Sequence, residues 1–382
     1  MKYVDEFRDG EKARALAEQI RREADPARRY HLMEFCGGHT HAIFRYGIPG
    51  LLPENVRLIH GPGCPVCVLP IGRLDMAIAL ARRPEVILCT YGDMLRVPGS
   101  GRESLMKLRA EGTDVRMLYS PADALKIAQQ NPDKEVVFFA IGFETTTPPT
   151  ALVIDQAAKL GLKNFSVFCN HVLTPAAMHA ILNTPEADSG ALQLDGFIGP
   201  AHVSTVIGSA PYEPFPQQYK RPVVIAGFEP LDVLQAILML IRQLNDGRCE
   251  VENEFIRAVS REGNLKAQAA VSRVLELRSS FEWRGLGAIP ESALQIRSEY
   301  AEFDAEKRFG VEQLHGRENK ACECPSILRG VKNPRDCVLF GDPCTPDNPL
   351  GSCMVSSEGA CAAYYSYGRF SERRIPAEEL RA

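Results

Sequence analysis

The chain has 382 residues, of which 45% are hydrophobic and 24% charged, with a formal net charge of −4. That composition is ordinary for a globular protein long enough for two or three domains, and it offers no basic surface for nucleic acid. The most apolar helical stretch, Leu231 to Leu244, is interrupted by Asp232, Gln235, Arg242 and Gln243, which argues against a membrane span. The N-terminus lacks the apolar core of a signal peptide, so the expected location is cytoplasmic.

Residues 11–24 read as an amphipathic helix, with Ala13, Leu16, Ala17, Ile20 and Ala24 on one face. Residues 30–35 are a predicted strand that runs into Cys36-Gly37-Gly38-His39-Thr40-His41. A second strand, 56–60, runs into Gly61-Pro62-Gly63-Cys64-Pro65-Val66-Cys67. Strands at 86–89, 115–118, 135–141, 165–168, 196–198 and 222–226 follow, separated by helices near 102–111, 121 onward, 149–160, 175 onward and 230–245. This alternation predicts parallel α/β units with functional loops at the strand ends.

The loops Gly142-Phe143-Glu144 and Gly227-Phe228-Glu229 echo each other, which suggests two similar α/β domains, 30–133 and 134–246. Residues 1–29 form a helical arm expected to pack on a C-terminal domain, 247–382. In that domain, 252–278 reads as charged helix. Beyond 284 the chain turns rich in Gly, Pro and Cys, a texture that needs a staple such as a metal centre.

Twelve cysteines in a reducing compartment favour metal or thiol chemistry over structural disulfides. Cys89, Cys169 and Cys249 are isolated and read as buried apolar residues. Cys64 and Cys67 form a Cys-x-x-Cys pair, which lowers a thiol pKa and can cycle through a disulfide. With Cys36 close by, the pair suits either a thioredoxin-like role or a soft metal site. His39 stands beside Cys36 as a proton donor or supporting partner, and His41 and His202 are further candidates in the surrounding shell. His171 also lies at a strand end, whereas His31, His60, His179 and His315 read as structural. Glu144, Glu229 and Glu358 lie on loops of the kind that rim active sites.

Six cysteines fall within 40 residues at the C-terminal end. The spacing Cys322-x14-Cys337-x6-Cys344-x16-Cys361 suits an iron–sulfur cluster better than a structural zinc site, which would more often show two close knuckles. Cys324 and Cys353 remain as buried thiols, redox partners or alternative ligands. No Gly-x-x-x-x-Gly-Lys loop is present, so no nucleotide site is expected.

Together Cys36-Gly37-Gly38-His39-Thr40-His41, Gly61-Pro62-Gly63-Cys64-Pro65-Val66-Cys67, Gly142-Phe143-Glu144-Thr145-Thr146 and Met354-Val355-Ser356-Ser357-Glu358-Gly359-Ala360-Cys361 resemble the HypD family, from about residue 30 to 368. The resemblance implies two similar α/β domains and a third carrying a 4Fe–4S cluster. It implies a scaffold, formed with a small HypC-type chaperone, on which the Fe(CN)2CO unit of nickel–iron hydrogenases is assembled on its way to the hydrogenase large subunit. A HypE-type partner carrying thiocyanate would deliver the cyanide. Carried onto this sequence, Cys36 would bind the transient iron with its cyanide and carbon monoxide. Cys64 and Cys67 would be the redox pair, with His39 assisting. Cys322, Cys337, Cys344 and Cys361 would hold the cluster, with Glu358 an acid beside it. The expectation is a cofactor-assembly scaffold with redox activity rather than a stand-alone enzyme. A free-standing thiol oxidoreductase and a zinc-stapled binding module are the rival classes.

Overall fold

A computed structural model describes residues 4–312, 314 and 316–368; His315 lies outside the described residues. The strands in chain order are β1 (Tyr30–Glu34), β2 (Val56–His60), β3 (Val86–Tyr91), β4 (Val115–Leu118), β5 (Glu135–Gly142), β6 (Phe165–His171), β7 (Gly196–Gly199), β8 (Val223–Ile225), β9 (Val251–Asn253), β10 (Leu275–Trp283) and β11 (Gly287–Ile296). They form a five-stranded sheet in the order β2-β1-β7-β8-β9, a four-stranded sheet in the order β4-β3-β5-β6, and a β10-β11 hairpin. Both larger sheets are wholly parallel. The long apolar run of β5 and the whole of β6 are buried, as expected of strands covered by helices on both faces.

Two α/β units are therefore present, but they do not divide at 133/134. β1 pairs with β7, Leu32 opposite Gly196, while β3 and β4 join β5 and β6. The first unit is thus built from both ends of the α/β region, and the second unit is inserted between them. A βαβ crossover specifies hand and parallel sense, not which later strand fills the other edge. The two Gly-Phe-Glu loops consequently follow strands of different sheets.

The N-terminal arm also differs from expectation. Asp9 caps the helix Gly10–Glu23, whose Ala13 and Ile20 share a core with Leu234, Ile237 and Ile241 of the helix Pro230–Asn245. Arg242 pairs with Glu23 at 2.7 Å. The arm therefore packs on the five-stranded unit, because its apolar stripe matches that of the 230–245 helix. The stretch 252–278 is helical only over Leu265–Val274. Its ends are β9 and β10; β10 exposes Leu277, Ser279, Ser280 and Glu282 and pairs antiparallel with β11, with a register shift between Arg278 and Ser280. No helix among the described residues is long and apolar enough to cross a membrane.

In the five-stranded sheet the strand order reverses direction between β1 and β7. Open α/β sheets bind ligands beyond the carboxyl ends of their strands at such a switch point. Cys36, Gly61–Cys67, His202 and Phe228 follow β1, β2, β7 and β8 and so share this edge.

Candidate metal and thiol centre

β1 and β2 run in parallel register up to Glu34 opposite His60, so the two cysteine loops leave the sheet side by side. The Gly37 N–H donates to the Gly63 carbonyl at 2.9 Å, and the Gly61 N–H to the Glu34 carbonyl at 2.9 Å. Position 63 admits only glycine without a shift of backbone, since a Cβ there would stand 2.4 Å from the Cys36 nitrogen. Cys64 and Cys67 are joined as a disulfide with Cα atoms 5.2 Å apart. Cys64 caps the turn Pro65–Val68, its sulfur accepting the Cys67 N–H at 3.3 Å.

Cys36 is buried at the mouth of this edge. Burial pushes its thiol well above the usual range; the Glu358 carboxylate adds to this, and the Gly38 and His39 amides oppose it. The Glu358 side chain packs against Gly37, and burial, then Asp93 and Glu34, raise its own pKa. The C-terminal segment thus reaches the N-terminal site, and the His41 ring nitrogen meets the Ser357 carbonyl at 3.3 Å.

The sequence reading missed Glu34. This fully buried carboxylate accepts the Cys36 N–H at 2.9 Å, the Thr40 hydroxyl, and the His60 Nδ1 proton at 2.8 Å. It ties both loops to the sheet. The available signal was an acidic residue in an otherwise apolar strand, two positions before the cysteine. His60 is structural as expected, but as Glu34's partner.

His39 is fully buried, and its Nε2 proton faces the Ala226 and Gly227 carbonyls at 3.0 and 2.9 Å. Two carbonyl acceptors place the proton on Nε2. Nδ1 is left as an unprotonated acceptor without a partner among the described residues. Burial lowers the pKa and keeps the ring neutral. Phe228 lies between His39 and the exposed His202, with ring centroids 4.8 and 4.2 Å away. Glu144 belongs to the other sheet. Both its oxygens accept from Thr174, at 2.9 and 3.0 Å, and burial pushes it up to about 7. No hydrogen bond joins it to the thiols among the described residues. Glu229 is engaged with Arg8 and caps the 230–245 helix.

The six C-terminal cysteines lie on very short helices and the loops between them: Cys324 opens the helix Cys324–Leu328, Cys353 lies in the 3-10 turn Ser352–Met354, and Cys361 lies in the helix Ala360–Ala363. The segment 337–344 closes on itself through Phe340 N–H to Cys337 C=O at 2.9 Å and Cys344 N–H to Leu339 C=O at 2.8 Å. The Cys344 sulfur accepts the Leu350 N–H at 3.4 Å. Cys322, Cys324, Cys353 and Cys361 are free thiols that lie close enough to influence one another. Contact with its neighbours lowers the pKa of the fully buried Cys353 and raises that of Cys361. The Cys337 sulfur faces the Ala321 carbonyl at 4.0 Å. Cys324 and Cys353, set aside in the spacing argument, are therefore at the heart of the group. Among the described residues the thiols close on one another and no three ligands surround a common point. Their softness, their grouping and the Leu350 amide aimed at Cys344 suit an iron–sulfur or other thiophilic centre.

Two bonds connect this group to the disulfide. The Ser352 hydroxyl, next to Cys353, donates to the Cys67 carbonyl at 3.1 Å. The Arg284 N–H donates to the Val68 carbonyl at 2.8 Å. The two sulfur sites are thus joined through the backbone of Cys67 and Val68.

Residues 11–368 match the family model HypD, described as "Hydrogenase formation hypA family". The chain belongs to the HypD family. Among its relatives, "Hydrogenase expression/formation protein HupD" of Azotobacter chroococcum mcd 1 is 80% identical over 97% of both chains. The "Hydrogenase maturation factor HypD" of Azotobacter vinelandii is 79% identical over 97% of both. The "Hydrogenase maturation factor HypD" of Escherichia coli K12 is 46% identical, covering 96% of this chain and 98% of that protein. The HypD match covers both α/β units and the C-terminal cysteines, so the sites described above all lie inside it.

Proposed function

We propose that this chain is a hydrogenase maturation factor that acts as the scaffold for assembling the Fe(CN)2CO unit of nickel–iron hydrogenases. It works with a HypC-type chaperone, receives cyanide from a HypE-type donor and passes the iron unit towards the hydrogenase large subunit. The supporting observation is the convergence of Cys36, the Cys64–Cys67 disulfide, His39 and Glu358 on one sheet edge.

Cys36 supplies a soft thiolate to the incoming iron, and the partner chaperone shares the ion. A metal cation reverses the balance that now keeps Cys36 protonated, because it stabilises the thiolate directly. Glu34 holds the Cys36 backbone while the ligand changes. Releasing cyanide from a thiocyanate breaks the S–C bond and consumes two electrons, yielding a thiolate and cyanide. Oxidation of the Cys64–Cys67 dithiol to its disulfide provides two, so the disulfide must be reduced again before a second cyanide is transferred. His39, neutral with a free Nδ1, accepts a proton released in the pocket. Cys322, Cys337, Cys344 and Cys361 would hold a 4Fe–4S cluster, with Cys324 and Cys353 as neighbouring thiols. Such a cluster, when bound, supplies electrons one at a time.

The test is infrared spectroscopy of the chain co-purified anaerobically with its small chaperone. Cys64→Ala is expected to retain the visible absorption of the cluster and lose the cyanide bands. Unchanged cyanide bands would overturn the reading.

A further inference from the structure

Arg284 is a cation with too few partners for its burial. Its side chain is 4% exposed, and Nε and Nη2 have no hydrogen-bond partner among the described residues. Nε approaches Glu318 Oε1 at 3.1 Å, but that carboxylate is 41% exposed and its charge is correspondingly screened. A guanidinium does not shed its proton, so burial beside a single half-exposed carboxylate leaves it able to balance a further anion. The position is held by backbone: Arg284 follows β10, and its N–H is bonded to Val68, next to Cys67. Its side chain lines one cleft with Cys322, Cys324, Leu350 and Gly351. At Gly351 the wall is tight, because a Cβ would lie 2.5 Å from the Cys322 sulfur and 2.6 Å from that of Cys324. The charge of Arg284 acts on both Cys322 and Cys353.

We propose that Arg284 is the buried cationic partner of the C-terminal sulfur centre and raises its reduction potential. This rests on the reading of that centre as an iron–sulfur cluster. A cluster on four thiolates is anionic and gains one more negative charge on reduction. A fixed cation beside it stabilises the reduced form more than the oxidised one. Placed between the cysteine group and the disulfide turn, the same charge stabilises the electron-rich state on the side from which electrons leave. Arg284 is a positioning residue here, acting by charge rather than by ligation.

The experiment is an anaerobic redox titration of the full-length protein followed by electron paramagnetic resonance, with iron and sulfide measured on each sample. Arg284→Met is expected to retain iron and sulfide and to disfavour the reduced cluster at least tenfold, about 59 mV in a one-electron couple. Arg284→Lys, which keeps the charge, should fall between. Glu318→Gln removes the exposed counter-charge and should move the potential the other way by a smaller factor. An unchanged potential in a fully loaded Arg284→Met protein overturns the proposal. If Arg284→Met does not load, Glu318→Gln decides: an upward shift supports the proposal, and no shift or a downward one overturns it. Wild-type protein free of iron and sulfide overturns the iron–sulfur reading itself, and with it the role of Arg284, a result distinct from an unshifted potential.

Discussion

Cys36, Cys64 and Cys67 are carried by the carboxyl ends of two paired strands, whereas the six C-terminal cysteines are carried by very short helices and loops. The first set rests on ladder bonds, on Glu34 and on close glycine contacts, all independent of any metal. The second rests on a few backbone bonds, on Ser352 and on contacts between free thiols. A protein that must bind and then release a metal unit needs a site that persists when empty. A resident centre can instead be part of what orders its own segment. On the proposed function, the contrast is that between a loading dock built into the fold and a cofactor site completed by its cofactor.

The sharpest way to break the contrast is at Cys36. Cys36→Ser should abolish the infrared bands of the iron unit on the co-purified complex while leaving the circular dichroism of the sheets unchanged. Next, removing iron with a chelator should speed amide exchange across 322–361 more than tenfold and leave β1, β2 and β5 protected, because stability is local. Equal loosening of both regions would erase the distinction. A third test uses Glu144, which burial raises from 4.5 to about 7. The folded state then holds a proton that the unfolded state has lost, so stability falls as pH rises from about 4.5 to 7, by roughly 3 kcal/mol. Glu144→Gln should flatten that fall in chemical denaturation. The smallest effects belong to the dock's supports. Gly63→Ala should cost about 1–3 kcal/mol by forcing backbone apart. Glu34→Gln should cost about 1–2 kcal/mol by weakening charge-assisted bonds to Cys36, Thr40 and His60. A Gly50→Ala control, with nothing within 4 Å of the new Cβ, should be near neutral.

The parts of the site that were legible in sequence are those whose chemistry is local. Gly-Gly beside Cys36 and Gly-Pro-Gly before Cys64 mark loops, and Cys-x-x-Cys marks a thiol pair at any fold position. Strand and helix types were likewise readable, because β5 is a long apolar run and Ser120 caps its helix before Pro121. Three features were not. β10 carries Glu276, Arg278 and Glu282 along a hairpin strand, so its charge pattern resembled a helix. Arg284 looks like any surface arginine until its burial is seen. Cys324 and Cys353 gain meaning only from the thiols that meet them.

By itself, the sequence singled out the candidate residues and determined that parallel α/β units would carry them at strand ends, since residue type and hydrophobic period act over a few positions. Only the tertiary structure decided which strands became neighbours, because β1 is near β2 in sequence and far from β7, yet it pairs with both. That pairing places Cys36 between the Gly61–Cys67 loop and Phe228. Packing of the C-terminal segment then brings Glu358 and Arg284 to the two sulfur sites from far along the chain. Long-range burial of apolar faces makes those choices, and no local pattern encodes them.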